Sequence, residues 1–568
     1  MAKLKLGKTS DGFPTRLLLS CLKADRNKAK RAGMGTATWR RSSLQWSYPI
    51  DPTILTNLLH LFGSDLAVDE ELTKYLESVG AEQQSVIKYT TQGGDLNDRL
   101  LPYQQEATRF IIAAKKCILG LDMGLGKTVV AAVGLNHVKS DKILVICPNI
   151  IKLSWMSHIF EWHGVKSVVV DRQRIKGYDD IIHGDHDKRE DQITEILSQN
   201  TFSLIINFEQ FRIHQDTFKK YSYDVLIIDE AHRVCNRKTQ TAKAITTITK
   251  HIPYIWLLTG TPIANFFTDV WTLLNIINPY RFSGFWNFVN IYMYTVENYF
   301  GGTDIIGIKS EEQFNHMLSK FVHRKSKAEV LPQLPPKIYS DYPHFMPTTQ
   351  QAIYESMEQE VIEELKEYIS PDKQDILLLP NTITKLIRLR QICLSPQLIG
   401  GPSDSGRILA LRDLMEDLKD SKQQFLVYTS FREFLHIISE LMNELGIHHE
   451  LIQGGQTTSH RIEIEQALNE GKIQAIGGMI TAMGESLNLQ AADTVIFADK
   501  SWSNRANIQA ENRVHRMNIT ESKNIITLYT PNTIEEDIIK TCVKKQQIFD
   551  ETIGQINAVK EMLLRRGV

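Results

Sequence analysis

Gly120-Leu121-Asp122-Met123-Gly124-Leu125-Gly126-Lys127-Thr128 follows the apolar run Cys117-Ile118-Leu119 and leads into Val129-Val130-Ala131-Ala132-Val133. The run before it reads as a buried strand and the run after it as the opening of a helix. A strand, a glycine loop and a helix N-terminus in that order make a phosphate cradle, because backbone N–H groups converge there and the helix dipole favours negative charge. Gly124 and Gly126 let the backbone approach, Lys127 reaches the outer phosphates, and the Thr128 hydroxyl is placed to hold Mg²⁺. Met123 and Leu125 complete the cofactor-binding loop. The strict pattern has glycine where Leu121 stands, so the loop departs from it at one position. The alternative is a glycine turn that ends by chance in Lys-Thr; the flanking strand and helix weigh against it.

With 568 residues the chain is too long for one core, and two or three domains are expected. Its hydrophobic share of 42% and charged share of 23% are those of a soluble globular protein. No stretch approaches the roughly 20 apolar residues that span a bilayer. Lys3, Lys5 and Lys8 interrupt any signal-peptide core, so no membrane partner is expected. Cys21, Cys117, Cys147, Cys235, Cys393 and Cys542 include no pair at metal-ligand spacing. Several stand in apolar runs, as reduced core thiols do. That fits an intracellular fold, independent of metal apart from an ion on the nucleotide. The formal net charge of −1 means that any surface for nucleic acid is local.

Such a surface is indicated near the start. Lys3, Lys5, Lys8, Arg16, Lys23, Arg26, Lys28, Lys30, Arg31, Arg40 and Arg41 are offset only by Asp11 and Asp25, with Trp39, Trp46 and Tyr48 interleaved. Cations neutralise phosphates and rings stack on bases, so Trp39 and Trp46 are candidate DNA contacts. The competing reading is a solvated basic tail before a small domain whose tryptophans are core. Ala32–Trp39 and Leu44–Pro49 have the pattern of a compact β-hairpin, residues 51–95 alternate helical patterns with polar turns, and Thr91–Asp95 reads as a linker.

Beyond it, apolar runs alternate with helical patterns: Ile143–Ile146, Leu204–Ile206, Val225–Ile228 and Ile255–Leu258. This predicts a parallel α/β sheet, with functional residues at the carboxyl ends of the strands. Asp229-Glu230-Ala231-His232 closes one run, and there Asp229 is assigned to the metal and Glu230 to general-base work on the attacking water. Leu258–Asn265, with Thr261, closes another; it is either a link from the phosphate site to a neighbouring surface or a simple turn. Gln104, in the helix start Leu101–Glu106, offers an amide able to pair with an adenine edge, or is an ordinary helix-start residue. A second α/β pattern runs through Phe425–Tyr428, Leu451-Ile452, Ala475-Ile476, Thr494–Phe497 and Ile525–Tyr529 without a second phosphate loop. After it, Gln509–Arg516 sets Arg513 and Arg516 three apart. On a helix they share a face and suit the spreading charge of a γ-phosphate; paired surface arginines are the alternative.

The chain resembles the Swi/Snf-like ATPases of helicase superfamily 2. The resemblance is carried by Asp122–Thr128, Asp229–His232 and Leu258–Asn265, by Cys147-Pro148-Asn149 with Trp155, and by Gln509–Arg516. Asn207-Phe208-Glu209 occupies the place of a further motif. The resemblance covers roughly residues 96–545 and implies two tandem RecA-like lobes with helical protrusions. It also implies ATP and Mg²⁺ in the cleft and DNA contacts by Asn149, Trp155, Asn207, Thr261, Thr429, Ser430, Thr481 and Trp502. Trp502 has a buried core ring as its alternative. Gln509 joins the catalytic set, and Gly484 and Glu485 the nucleotide set. Ser486 stands where relatives carry the second glycine of Gly-Glu-Gly-Leu-Asn-Leu; a Cβ there can tune or weaken activity. Val322–Lys327, Leu334–Lys337 and Leu386–Pro396 look like the linker to the second lobe, and Thr533–Val568 reads as helices bracing it across the first. Phe282, Phe285, Trp286 and Phe288 read as local core. The N-terminal hairpin resembles the HARP-type module of annealing helicases.

The expected layout is a basic DNA-binding module over 1–95, a first lobe over 96–340, and a protrusion, second lobe and brace over 341–568. The expected activity is ATP-driven translocation on double-stranded or branched DNA, in fork remodelling, branch migration or strand annealing. The alternative is displacement of proteins, such as a stalled polymerase, from DNA. A nucleotide-sensing scaffold and an RNA helicase are the other readings. The expected state is a monomer, with replication or transcription proteins as further partners. A bacterial or phage source would put it in the cytoplasm, a eukaryotic one in the nucleus.

Overall fold

The computed structural model describes residues 2–9, 14–91, 96–171, 180–260, 269–297, 302–368, 380–483, 487–516 and 519–544. The chain forms two compact units, the first holding most of residues 1–326 and the second holding Lys327–Val568. Among the described residues no helix is long and apolar enough to cross a membrane.

The first unit opens with a small sheet. Strands β1 (Ala2–Lys8), β2 (Pro14–Ser20), β3 (Thr38–Arg40), β4 (Gln45–Pro49) and β5 (Leu66–Val68) lie in the order β3-β4-β2-β1-β5. Period-two alternation builds it: Leu4 and Leu6 point into the core while Lys3 and Lys8 stay outside. The expected hairpin is β3 paired antiparallel with β4. Asp51 caps the helix Pro52–Phe62 by accepting from the Thr53 N–H at 2.8 Å, and its other oxygen accepts from the Tyr292 hydroxyl. This module shares one hydrophobic core with the sheet that follows.

That sheet contains β6 (Lys116–Leu121), β7 (Lys142–Cys147), β8 (Val168–Val170), β9 (Ile181–Ile182), β10 (Phe202–Asn207), β11 (Val225–Ile228) and β12 (Tyr254–Leu258). A hairpin, β13 (Met293–Glu297) with β14 (Thr303–Ile308), precedes its last strand, β15 (Val322–Lys325). The order is β15-β6-β12-β11-β7-β10-β8-β9, with every pairing parallel. Strands buried on both faces read as continuous apolar runs, which is why β6, β7, β10, β11 and β12 are legible in sequence. β15 corrects an expectation. Val322–Lys325, expected in the linker, is an edge strand on β6, and its His323-Arg324-Lys325 masks the apolar signal. Lys325 there pairs with Glu106 at 3.1 Å. Phe282 and Phe288 are core as expected, whereas Trp286 is 49% exposed.

The second unit carries β16 (Lys337–Pro343), β17 (Phe425–Thr429), β18 (His449–Ile452), β19 (Ala475–Met479), β20 (Thr494–Phe497) and β21 (Lys523–Tyr529). They form a parallel sheet in the order β16-β21-β20-β17-β19-β18. Helices Thr348–Tyr368 and Pro380–Leu394 pack together through Tyr354, Val361, Leu386 and Leu389. Ile534 and Ile538 of the helix Ile534–Lys544 join that cluster; the rest of the expected brace lies outside the described residues. Each unit is therefore built on a RecA-like parallel sheet.

Under the second sheet lies Arg407, with no exposed surface. Its guanidinium donates to the carbonyls of Ala498 and Leu528 and to the carboxylate of Glu535. Removing one partner of a buried pair strands the other charge, at a cost of about 3–5 kcal/mol. Arg407→Met should therefore lower the opening free energy of β20 and β21 by that amount in hydrogen exchange. Adding Glu535→Leu should restore most of it.

Candidate functional site

Parallel strands put their carboxyl ends on one edge, and five neighbouring ends gather the expected residues of the first unit. The phosphate loop leaves β6, Thr259-Gly260 leaves β12, Asp229-Glu230 leaves β11, Pro148-Asn149 leaves β7, and Asn207 ends β10. Gly124 and Gly126 have φ of 83° and 76°, the left-handed region that side chains resist, so the loop needs glycine at both. The helix Lys127–Val138 begins directly after Gly126, with Thr128 half-buried in its first turn. Lys127 is buried, and its ammonium donates to the Leu121 and Asp122 carbonyls at 2.9 and 3.3 Å.

Asp229 is 5% exposed. Its Oδ1 accepts from the Glu230 N–H at 2.8 Å and its Oδ2 from the Trp155 indole N–H at 2.9 Å. Burial, and then the neighbouring Glu230 charge, push its carboxyl up to about 6, against the pull of Lys127 and of those two donors. Buried carboxylate beside carboxylate is an arrangement that a bound dication relieves, and the Thr128 hydroxyl adds a second oxygen donor of the kind Mg²⁺ prefers. The residues fit the ion. Glu230 holds a left-handed backbone (φ 51°, ψ 49°), a strain of about 1–3 kcal/mol of the kind found at working sites. His232 Nδ1 lies 3.1 Å from its Oε2.

Trp155 corrects the DNA-contact expectation. It has no exposed surface and is spent on Asp229, so it positions the carboxylate and offers nothing to a strand. Its helix, Lys152–His163, follows the turn that carries Asn149. Asn149 is exposed and accepts from the Asn207 amide at 2.9 Å, so the two asparagines form one polar pair at the sheet edge. Asn207 also caps the helix Phe208–Ile213, accepting from the Gln210 N–H at 2.8 Å. The Trp155 hydrogen bond thus joins the carboxylate to the element that starts at the asparagine pair. A bond to a charged acceptor is worth about 1.5–3 kcal/mol. Trp155→Phe should accordingly cut kcat by roughly tenfold and leave duplex affinity, read by fluorescence anisotropy, unchanged. Lost affinity at full kcat would return Trp155 to the DNA side.

Gln104 is buried, and its Oε1 accepts from the Leu101 N–H at 3.0 Å, which is the helix-start role. Trp39 and Trp46 are half-buried cross-strand partners 5.4 Å apart, with the Arg26 guanidinium 5.4 Å above Trp39. Trp46 also packs on the core.

In the second unit Thr429 is fully buried and donates to Asp499 Oδ1 at 2.7 Å, which corrects its assignment as a DNA contact. The Ser430 N–H donates to the same oxygen at 2.8 Å. Arg390 donates to Asp499 Oδ2 and to the Lys500 carbonyl, both at 2.9 Å, and lies over the rings of Phe431 and Trp502. This network went unread because Arg390 sits in an apparent linker and Asp499 in a plain strand end. Trp502 is half-buried beside it, and Thr481 is exposed. Gln509 lies on the helix Asn504–Glu511. The shared helix face expected of Arg513 and Arg516 is corrected: the helix ends at Glu511, and both follow it. Arg513 is buried, and Arg516 donates to the Leu487 carbonyl at 2.6 Å. Burial, and then Arg513, bring Arg516 down to about 10, so it stays charged at neutral pH. Glu511, buried, holds Lys337 and Tyr339 on one oxygen and Lys500 on the other. Thr261, Gly484, Glu485 and Ser486 lie outside the described residues.

Residues 46–398 match the SNF2-related domain, and residues 406–518 the helicase conserved C-terminal domain. The ISWI chromatin-remodeling complex ATPase ISW2 of Saccharomyces cerevisiae is 25% identical over 504 residues, covering 84% of this chain and 43% of that protein. An uncharacterized ATP-dependent helicase of Mycoplasma pneumoniae is 25% identical over 467 residues, covering 79% of this chain and 42% of that protein. Among solved structures, the Sulfolobus solfataricus SWI2/SNF2 ATPase core in complex with dsDNA is 22% identical, with a TM-score of 0.37, covering 83% of this chain and 96% of that one. The chain spans under half the length of these curated relatives. The SNF2-related match alone takes in well over half of the residues, and the chain belongs to the SNF2-related family.

Proposed function

We propose that this chain is a DNA-dependent ATPase that uses Mg²⁺·ATP to move along double-stranded DNA. Lys127 and the loop N–H groups hold the phosphates, Asp229 and Thr128 hold the ion, and Glu230 takes a proton from the attacking water. Arg513 and Arg516, in the second unit, carry the planar charge that suits a γ-phosphate in transfer. The ion, when bound, draws charge from the β- and γ-oxygens. The observation that carries the reading is the bond from Trp155 to Asp229, because it ties the metal-holding carboxylate to the element beginning at the Asn149–Asn207 pair. A change in what Asp229 binds is thereby felt at a polar surface suited to a phosphate backbone.

The finer role we propose is fork remodelling, branch migration or reannealing. The exposed cations Lys3, Lys8, Lys23, Arg26, Lys28, Lys30, Arg31, Arg40 and Arg41 on the N-terminal module support it, since they add a basic surface to the motor. The test is a triplex-displacement assay on linear duplex, run beside regression of a model fork. ATP-dependent removal of the third strand supports translocation, and faster turnover on the fork supports remodelling. Removal of a stalled polymerase with no preference for forks would favour the protein-displacement reading.

A further inference from the structure

At the β9 edge of the first unit's eight-stranded sheet lies a cluster that the nucleotide chemistry does not use. Asp185 caps the helix His186–Leu197, accepting from the Lys188 N–H at 2.9 Å. His186 and Glu190 stand one turn apart in that helix, on one face. His214 comes from the turn between the helices Phe208–Ile213 and Gln215–Phe218. His186 Nδ1 is 3.8 Å and His214 Nδ1 3.5 Å from the same oxygen, Glu190 Oε2, and one donor atom of each residue lies within 4.8 Å of the others. Two ligands bound tetrahedrally to one ion at zinc distances stand roughly 3.3 Å apart, so small side-chain shifts close the triangle.

His214 supplies an independent sign. Its side chain has no exposed surface, its Nε2 makes no hydrogen bond, and its Nδ1 has only the 3.5 Å approach to Glu190 Oε2. Burying an unsatisfied polar group is unfavourable, and coordination would satisfy one of the two nitrogens. A neutral imidazole has one ring nitrogen with a lone pair to give to a metal. The Thr217 hydroxyl donates to Glu190 Oε1 at 2.7 Å, which leaves Oε2 toward the two rings. A carboxylate aimed by a neighbouring donor is how metal sites orient their ligands. Two charges bear on the site as well. His186 Nδ1 is also 3.2 Å from Asp187 Oδ1, a contact that coordination would replace, and the Arg189 guanidinium is held aside by the Gly184 carbonyl at 2.8 Å.

We propose that His186, Glu190 and His214 bind one divalent transition-metal ion of the zinc class, with a coordination position open to solvent beside the half-exposed His186. Imidazole nitrogens select such ions over Mg²⁺ and Ca²⁺, which take oxygen donors. The ion would pin the helix His186–Leu197 to the far end of the helix that Asn207 caps, bracing one half of the asparagine pair. Only this bracing role rests on the function proposed above.

The test uses the full chain freed of metal with a chelator. Zn²⁺ is titrated by calorimetry and Co²⁺ by visible absorption, in the wild type, His186→Ala and Glu190→Gln. His186 and Glu190 are partly exposed, so both variants should fold. The expected result is one Zn²⁺ per chain and d–d bands of tetrahedral Co²⁺, with affinity at least about a hundredfold weaker in either variant. Equal binding by wild type and variants, or no binding by the wild type, would overturn the site. Zn²⁺ should also slow hydrogen exchange over residues 208–218 in the wild type alone; binding without that protection would overturn the brace. None of these readouts involves ATP or DNA.

Discussion

Glu230→Gln is expected to leave ATP binding intact and to lower turnover on duplex DNA by about 10²–10⁴. Glutamine keeps the shape of the side chain and its hydrogen-bonding reach and loses only the capacity to take a proton. The backbone strain at position 230 is unchanged, because it belongs to the left-handed turn that follows β11. The Glu230 N–H still donates to Asp229, so the ion site should survive. Single-turnover hydrolysis with radiolabelled ATP, beside a binding measurement with a fluorescent ATP analogue, separates the two effects. A variant that binds nucleotide and hydrolyses it at the wild-type rate would remove Glu230 from the chemistry.

Arg513→Ala should cost more, about 10³–10⁵ in kcat, the range that a guanidinium acting on γ-phosphate charge supplies. Arg513→Lys should recover little, because an ammonium keeps the charge and loses the planar fork. Arg513 is buried, so each variant needs a thermal-unfolding control. Arg516 is tied to the Leu487 carbonyl, and Arg516→Ala should also loosen the segment that begins there. A charge-dependent loss rescued by lysine at both positions would instead mark the arginines as electrostatic anchors.

The strand cores were readable because both faces of a parallel strand are buried, so Val225–Ile228 or Phe425–Tyr428 shows without alternation. The site residues at their carboxyl ends followed from the same rule. What escaped has physical reasons. β15 is an edge strand whose His323, Arg324 and Lys325 hide it among charged residues. Trp155 is an aromatic next to a DNA-type motif, and only three dimensions reveal Asp229 beneath it, 74 positions away in the chain. Arg390 and Asp499 are 109 positions apart, and neither stands in a motif. The helix carrying Gln509 stops at Glu511, a boundary that the spacing of Arg513 and Arg516 concealed.

The proposed motor is driven by ATP and engaged by duplex DNA. Steady-state ATPase rates without nucleic acid, and with single-stranded DNA, linear duplex, a forked junction and duplex RNA, test it most directly, with Glu230→Gln as the control. Stimulation by duplex and forked DNA, abolished in the control, is the expected result. A rate indifferent to every DNA, or raised by RNA alone, would contradict it.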